Sequence, residues 1–249
     1  MSDKRVEFYA SDAGVELVKC RDSRLSYPLH NHVSTFTVGL ILSGAIQLTL
    51  GGQKSIVSKD QFFIIAPYVP HSITAISKYS MISLCVHKDV IRQADENRIV
   101  SIAVSLLNSA SDREQVDAKQ ALLLNAVILC KRHKNTHVAA VNYVERLKRL
   151  IEQSPEDSLT SREMSRRARK SKYHLIRSFK QEVGLTPRRF QIQNRIRKAK
   201  HLLTEPLSMT EAALAVGFFD QSHFIRHFKK IVGMTPSSYK SAFKFVRVQ

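Results

Sequence analysis

The sequence has no run of roughly 18 or more apolar residues, which argues against a membrane-spanning helix. Its start, Met1-Ser2-Asp3-Lys4-Arg5-Val6-Glu7-Phe8, lacks an apolar signal core, so export is not expected and a cytoplasmic protein is. Cysteine is scarce. Cys20, Cys85 and Cys130 are odd in number and far apart, with neither metal nor redox spacing, which fits reduced thiols. No nucleophile–base–orienter set stands in the first ninety residues. The chain is therefore not expected to be an enzyme, and no catalytic residue or cofactor is assigned. Acidic residues are short in one region above all. Residues 140–249 hold 23 Lys+Arg against 9 Asp+Glu, whereas residues 1–139 hold 16 against 12. A basic half of that size is either the footprint of a polyanion binder or a merely soluble basic domain.

The chain does have enough length and apolar content for two packed cores, with 249 residues of which 43% are hydrophobic. From Pro28 to Val86 the pattern is β: short runs rich in Val, Ile, Leu, Thr and Phe alternate with turn signals. Strands are expected at Thr35–Leu42, Ala45–Leu50, Gln53–Val57, Gln61–Ile65, Ile73–Ile76 and Ser80–Val86. Gly51-Gly52 reads as a two-residue hairpin turn, because both positions tolerate positive φ. Short strands at this spacing predict a sandwich or small barrel. Two helices are expected next, Val90–Asn108 and Glu114–His133. The apolar stripe of the second is broad enough for a dimer contact or for packing within the chain alone. Lys131 to His137 is polar, lacks period and reads as the linker.

The last third contains a repeat. Ser171 to Pro187 reads SKYHLIRSFKQEVGLTP, and Asp220 to Pro236, 49 residues on, reads DQSHFIRHFKKIVGMTP. Leu175, Phe179 and Val183 predict the buried stripe of one helix, and Phe224, Phe228 and Val232 that of the other. Ser171 is a plausible N-cap and Gly184 a plausible terminator. Each long helix follows a shorter one across a tight turn, Ser161–Ala168 in the first copy and Met209–Val216 in the second. Two short helices about a tight turn are a helix-turn-helix signature. Pro187–Leu203 has no internal breaker and predicts a connecting helix roughly 25 Å long. With the width of the helices it joins, such a rod can set two reading helices one turn of duplex apart, which is about 34 Å.

Two resemblances carry these patterns further. His30-Asn31-His32, the Gly44 turn, Lys59-Asp60 and Pro67-Tyr68-Val69-Pro70-His71 resemble a cupin, the double-stranded β-helix jelly roll. The resemblance implies histidines at the barrel mouth. There His30, His32 and His71 line an effector pocket, cap strand ends, or form a three-imidazole metal site. The acidic ligand expected after His-x-His is absent, with Thr37 near its place, so no metal is assigned. Arg195-Ile196-Arg197-Lys198-Ala199-Lys200-His201-Leu202-Leu203, Ala215-Val216-Gly217-Phe218, Asp220-Gln221-Ser222-His223-Phe224 and Phe228 to Pro236 resemble the DNA-binding domain of the AraC/XylS bacterial transcription regulators, over about 100 residues.

Together these imply a two-domain α+β chain. An N-terminal cupin-like β-barrel (residues 1–90) is followed by a helical connector (91–137). An all-α DNA-binding domain (138–249) carries two helix-turn-helix motifs, at about 161–183 and 209–232, joined by the connecting helix 187–203. Carried over by position, the DNA-binding residues are Lys172, Tyr173, His174, Ile176 and Arg177, then Gln221, Ser222, Ile225 and Arg226. Arginine can bond bidentately to guanine or clamp phosphate, and isoleucine can meet a thymine methyl or stay in the core. The family departs here in four places: Arg169, Lys170, Ala212 and Phe219. The expected function is sequence-specific regulation of transcription under control of a small molecule. Promoter DNA, the effector and RNA polymerase are the expected partners, and a homodimer is open. The rival reading is a metal-dependent cupin enzyme or metal sensor with a basic nucleic-acid-binding tail.

Overall fold

Alternation of apolar and polar residues builds the first unit, and helical spacing builds the second. The computed structural model describes residues 6–11, 14–33, 35–87, 90–91, 101–105, 107 and 142–246. The chain divides into Met1–Thr136 with Ser241–Gln249, and His137–Lys240. The expected helix Glu114–His133 and linker 131–137 lie outside the described residues, as does most of the connector.

Among the described residues the first unit holds two sheets. One has the order β10-β1-β2-β9-β4-β7 and the other β3-β8-β5-β6. The strands are β1 (Val6–Ser11), β2 (Val15–Ser23), β3 (Tyr27–His30), β4 (Thr35–Ser43), β5 (Ala45–Leu50), β6 (Gln53–Ser58), β7 (Phe62–Ile65), β8 (His71–Ala75), β9 (Tyr79–His87) and β10 (Phe243–Val246). All neighbours are antiparallel except β1 and β10. Gly51 and Gly52 do turn the β5–β6 hairpin, with φ of 57° and 93°, and pair Leu50 with Gln53. Gly44 has φ 72°, and a Cβ there would sit 2.0 Å from the Lys78 carbonyl oxygen, so this turn requires glycine.

Strand alternation gives the six-stranded sheet two apolar faces. Tyr9, Val15, Leu17, Val38, Ile82, Leu84 and Val86 form one, packed with Ile91, Ile102 and Ala103. Thr37 and Cys85 alternate with Val38 and Leu84 and so lie on the opposite face, where Thr37 meets His32. The β pattern begins earlier than the sequence suggests. Strands β1, β2 and β3 precede or overlap Pro28; in β1 the adjacent Phe8 and Tyr9 are both buried, and in β2 a buried Lys19 takes an inward place beside buried Cys20, so neither alternates cleanly.

The helices of the second unit are α1 (Tyr143–Gln153), α2 (Ser161–Ala168), α3 (Lys172–Val183), α4 (Pro187–Leu202), α5 (Met209–Ala215), α6 (Gln221–Val232) and α7 (Pro236–Ala242). Each of the first six starts at a side chain that caps its first turn: Asn142, Thr160, Ser171, Thr186, Ser208 and Asp220. At α5 the cap is a full capping box, Ser208 with Glu211. Gly184 and Gly233 end α3 and α6 in left-handed conformation, with φ of 78° and 86°. The expected DNA-binding domain runs from 138 to 249, whereas by compactness Ser241–Gln249 group with the first unit. Among the described residues no helix is long and apolar enough to cross a membrane.

Candidate nucleic-acid interface and ligand site

The repeat has one buried face and one exposed face in each copy. Leu175, Phe179 and Val183 are buried on α3, and Phe224 and Phe228 on α6. Val232 is only half-buried, so the second stripe is one residue shorter than expected. Phe179 packs edge-on against Phe190 of α4 at 5.5 Å, and Phe228 against Tyr239 at 5.6 Å. On the opposite face Lys172, Tyr173, His174 and Arg177 are exposed, as are Gln221, Ser222 and Arg226. Ile176 and Ile225 are half-buried, between the two faces. Tyr173 is 86% exposed, and Phe219, in the turn before α6, is 91% exposed. His223 stands apart from the open face. Its Nε2 lies 2.9 Å from His227 Nε2, and Phe218 packs against both rings. Burial first, then His223 and the charges of Lys230, Arg226 and Arg188, keep His227 below the usual histidine range.

One side chain links the segments that lead into the two copies, and no local pattern announces its role. Arg195 of α4 is 5% exposed. Its Nε donates to the Pro155 carbonyl at 2.7 Å, and its Nη2 donates to those of Glu156 at 3.2 Å and Asp157 at 2.9 Å. Its Nη1 donates to the carbonyl of Gly217. Residues 155–157 lead from α1 into the first helix pair, and Gly217 forms the turn of the second. A single guanidinium thus spans both. Gln191 Nε2 adds a bond to the Asp157 carbonyl at 2.7 Å, and Lys198 pairs with Glu156 at 2.7 Å. The signal in the sequence was the Arg195 motif itself, but its four carbonyl partners become visible only in three dimensions. Gly217 has φ 83°, and a Cβ there would lie 2.4 Å from the Glu156 carbonyl oxygen.

The connecting helix has 16 residues. At about 1.5 Å per residue it spans roughly 24 Å. It is also unusually buried for a polar sequence, with Gln191, Gln193, Asn194 and Arg195 inside. Such a polar interior fixes geometry, because each buried donor demands a partner.

In the first unit the three expected histidines do converge. His30 and His71 are register partners across β3 and β8. Ring centroids lie 4.1 Å apart for His30 and His71, 4.8 Å for His32 and His71, and 5.2 Å for His30 and His32. One ring nitrogen of each lies within 4.8 Å of the others. The opposite nitrogens are fixed by the protein. His30 Nδ1 donates to the Pro28 carbonyl at 2.8 Å and His71 Nδ1 to that of Val69 at 2.9 Å, which leaves their lone pairs on Nε2. His32 Nδ1 meets Thr37 Oγ1 at 2.7 Å. It takes the same tautomer when the Thr37 hydroxyl turns toward Cys85 Sγ, 3.4 Å away. Burial holds His30 below the usual histidine range. Burial, and then the charge of His30, push His71 down to about 3. His30 and His71 are therefore neutral imidazoles. Among the described residues the three-histidine cluster is the one grouping of histidine, cysteine and carboxylate side chains with metal-binding proximity. Thr37, in place of a carboxylate, leaves that set without a negative charge.

Comparisons with known proteins agree with both halves of this geometry. Residues 164–242 match the helix-turn-helix domain family and residues 22–87 match the cupin domain family. The chain is 25% identical over 235 residues to YbfI of Bacillus subtilis (strain 168), described as an uncharacterized HTH-type transcriptional regulator, covering 84% of this chain and 85% of YbfI. The fold is similar to that of ToxT from Vibrio cholerae O395, with a TM-score of 0.61, 14% identity, and coverage of 92% of this chain and 98% of that one. A second ToxT structure, from strain SCE256 and bound to an unsaturated fatty acid, gives a TM-score of 0.59 at 14% identity, covering 91% and 94%.

Proposed function

We propose that this chain, an AraC-family transcriptional regulator with a cupin-like ligand-binding domain, reads two adjacent major-groove segments of promoter DNA through α3 and α6. Lys172, Tyr173, His174, Ile176 and Arg177 serve the first segment, and Gln221, Ser222, Ile225 and Arg226 the second. The observation that carries the reading is Arg195, whose guanidinium joins the segment leading into the first helix pair to the turn of the second. The open faces of α3 and α6 are then presented at a spacing set by α4. The excess of 23 Lys+Arg over 9 Asp+Glu in residues 140–249 supplies the sequence-independent attraction to phosphate. The chain works as a cytoplasmic binding protein, not a catalyst, with RNA polymerase as its protein partner. Mapping the bound DNA across the genome tests this directly. Enrichment at promoters supports the reading, and binding without sequence preference removes it.

The effector binds at His30, His32 and His71. One ToxT structure carries an unsaturated fatty acid, which makes apolar carboxylates the first class to screen here. A second reading has a specific observation behind it: three converging imidazoles whose outer nitrogens are already pinned fit a divalent transition metal. His30, His32 and His71 would hold it, and the ion would supply a Lewis-acidic position for an anionic effector. Elemental analysis of the purified chain, with a His71→Gln variant as control, separates the readings. Stoichiometric metal lost in the variant supports the metal, and a metal-free protein that melts higher with a carboxylate supports the organic effector alone.

A further inference from the structure

Among the described residues the two most exposed large apolar side chains are Phe219, at 91%, and Tyr173, at 86%. Rings of this kind are ordinarily buried. Both stand at the N-terminal ends of the proposed reading helices, Tyr173 in the first turn of α3 and Phe219 just ahead of the cap of α6. Tyr173 already belongs to the reading face, whereas Phe219 has no role so far.

Its exposure follows from a difference in chain length. From cap to cap the second helix pair is one residue longer than the first: Ser208 and Asp220, against Thr160 and Ser171. In the first pair Lys170 alone separates the left-handed Arg169 from the cap. In the second, Phe218 and Phe219 together separate the left-handed Gly217 from the cap. The residue before an N-cap often packs against the fourth residue of the helix. In α6 that fourth residue is Phe224, and Phe218 takes the place against it, with ring centroids 5.4 Å apart. Phe218 also packs against His223 at 5.4 Å and lies 5.9 Å from the Arg195 guanidinium. It is buried, so the longer turn keeps one ring in the core and turns the next one outward. The carboxylate beside that outward ring is occupied, since Asp220 Oδ1 accepts from the His223 amide at 2.7 Å.

The surroundings favour a polyanion over a protein as the occupant. Gln221, Ser222, Arg226, Lys229 and Lys230 of α6 are all exposed. In the major groove, thymine is the base that offers an apolar group, its methyl, and phenylalanine can meet it. We propose that Phe219 is a specificity-determining residue of the second segment: its ring meets the methyl group of a thymine next to the bases served by Gln221 and Ser222. This rests on the DNA-binding reading above. In the first helix pair the residue before the cap is Lys170, whose ammonium lies 5.7 Å from the Tyr143 ring, so this thymine contact belongs to the second segment alone.

The probe is a duplex selected from random DNA by the full chain. Each thymine, in either strand, is replaced singly by deoxyuridine, which removes only the methyl group, and affinity is read by fluorescence anisotropy at fixed salt. The parent should lose roughly three- to five-fold at a position where Phe219→Ser loses nothing, as expected for one buried methyl group. On the all-thymine duplex Phe219→Ser should bind weaker than the parent by a similar factor, and Phe219→Leu should keep most of the affinity. The position should lie in the segment whose protection Arg226→Ala weakens. Uracil penalties that all persist in Phe219→Ser, or a coupled position in the segment served by Arg177, overturn the proposal. Unchanged affinity in Phe219→Ser overturns it as well and leaves the ring to a protein partner. Phe219→Ser should melt with the parent, because an exposed ring contributes no packing; a lower midpoint assigns the ring to the fold instead and overturns the contact. A full chain that selects no duplex overturns the DNA-binding reading, and this proposal with it.

Discussion

Arg195→Met removes a buried guanidinium and leaves its volume filled. Four carbonyl oxygens, those of Pro155, Glu156, Asp157 and Gly217, then lose a charged donor. A hydrogen bond to a charged group contributes about 1.5–3 kcal/mol, but the four share one side chain and do not add. Desolvation works against them: burial first, and then the charge of Arg188, pull the guanidinium below its usual range, opposed by Glu156 and Asp157. A net loss of about 3–5 kcal/mol is expected, because several buried carbonyl acceptors, at about 1–3 kcal/mol each, are left without a donor. That is a large share of the roughly 5–15 kcal/mol that holds a domain together. For a unit of this size each kcal/mol moves the midpoint by about 4–8 °C, so melting should fall by about 12 °C or more. Circular dichroism at 222 nm follows the melt, with ~222 nm chosen for helix content. Arg195→Lys should fall between, since it keeps the charge but not the fork. A variant that melts within about 3 °C of the parent would refute the idea that this one side chain spans both helix pairs.

The remaining predictions concern single sites. Gly217→Ala places a methyl against the Glu156 carbonyl at a φ of 83°, and should cost about 1–3 kcal/mol in chemical denaturation. Arg177→Ala should cost about 1–3 kcal/mol in DNA affinity at one base position if the guanidinium reads a base, whereas Lys172→Ala should weaken all sequences alike and lower the salt slope by about one. Acid should destabilise the first unit. His30 and His71 are held neutral in the fold, so protons bind the unfolded chain first as pH falls below the ordinary histidine value of 6.5. The loss accumulates from there toward about 3, where His71 itself titrates, at about 1.4 kcal/mol per pH unit for each such histidine. Melting curves between pH 7 and pH 5 should show it, and His71→Gln should flatten the slope; an unchanged slope contradicts the buried neutral pair.

Much of the helical unit was legible because its signals are local. Caps, the Arg169–Ser171 turn and the buried stripe of α3 all act within a few residues, and the 49-residue offset exposed the repeat. Val232 was overstated because period alone cannot report what lies opposite. The barrel was legible only where alternation was clean. Strands β1 and β2 were missed because adjacent buried residues, Phe8 with Tyr9 and a charged Lys19 with Cys20, break the alternation, and β10 because Lys244 meets Glu7 across 237 residues of chain. The histidines were visible as residue types. Their convergence depends on the β3–β8 register, and their tautomers on carbonyls at Pro28 and Val69, neither of which a linear pattern carries.

The central claim is that one chain reads two adjacent groove segments with α3 and α6. Hydroxyl-radical footprinting on a selected duplex tests it most directly, using the parent, Arg177→Ala and Arg226→Ala. The account predicts two protected patches about 10 base pairs apart, one weakened by each variant. A single patch, or two patches that both variants erase equally, would contradict it.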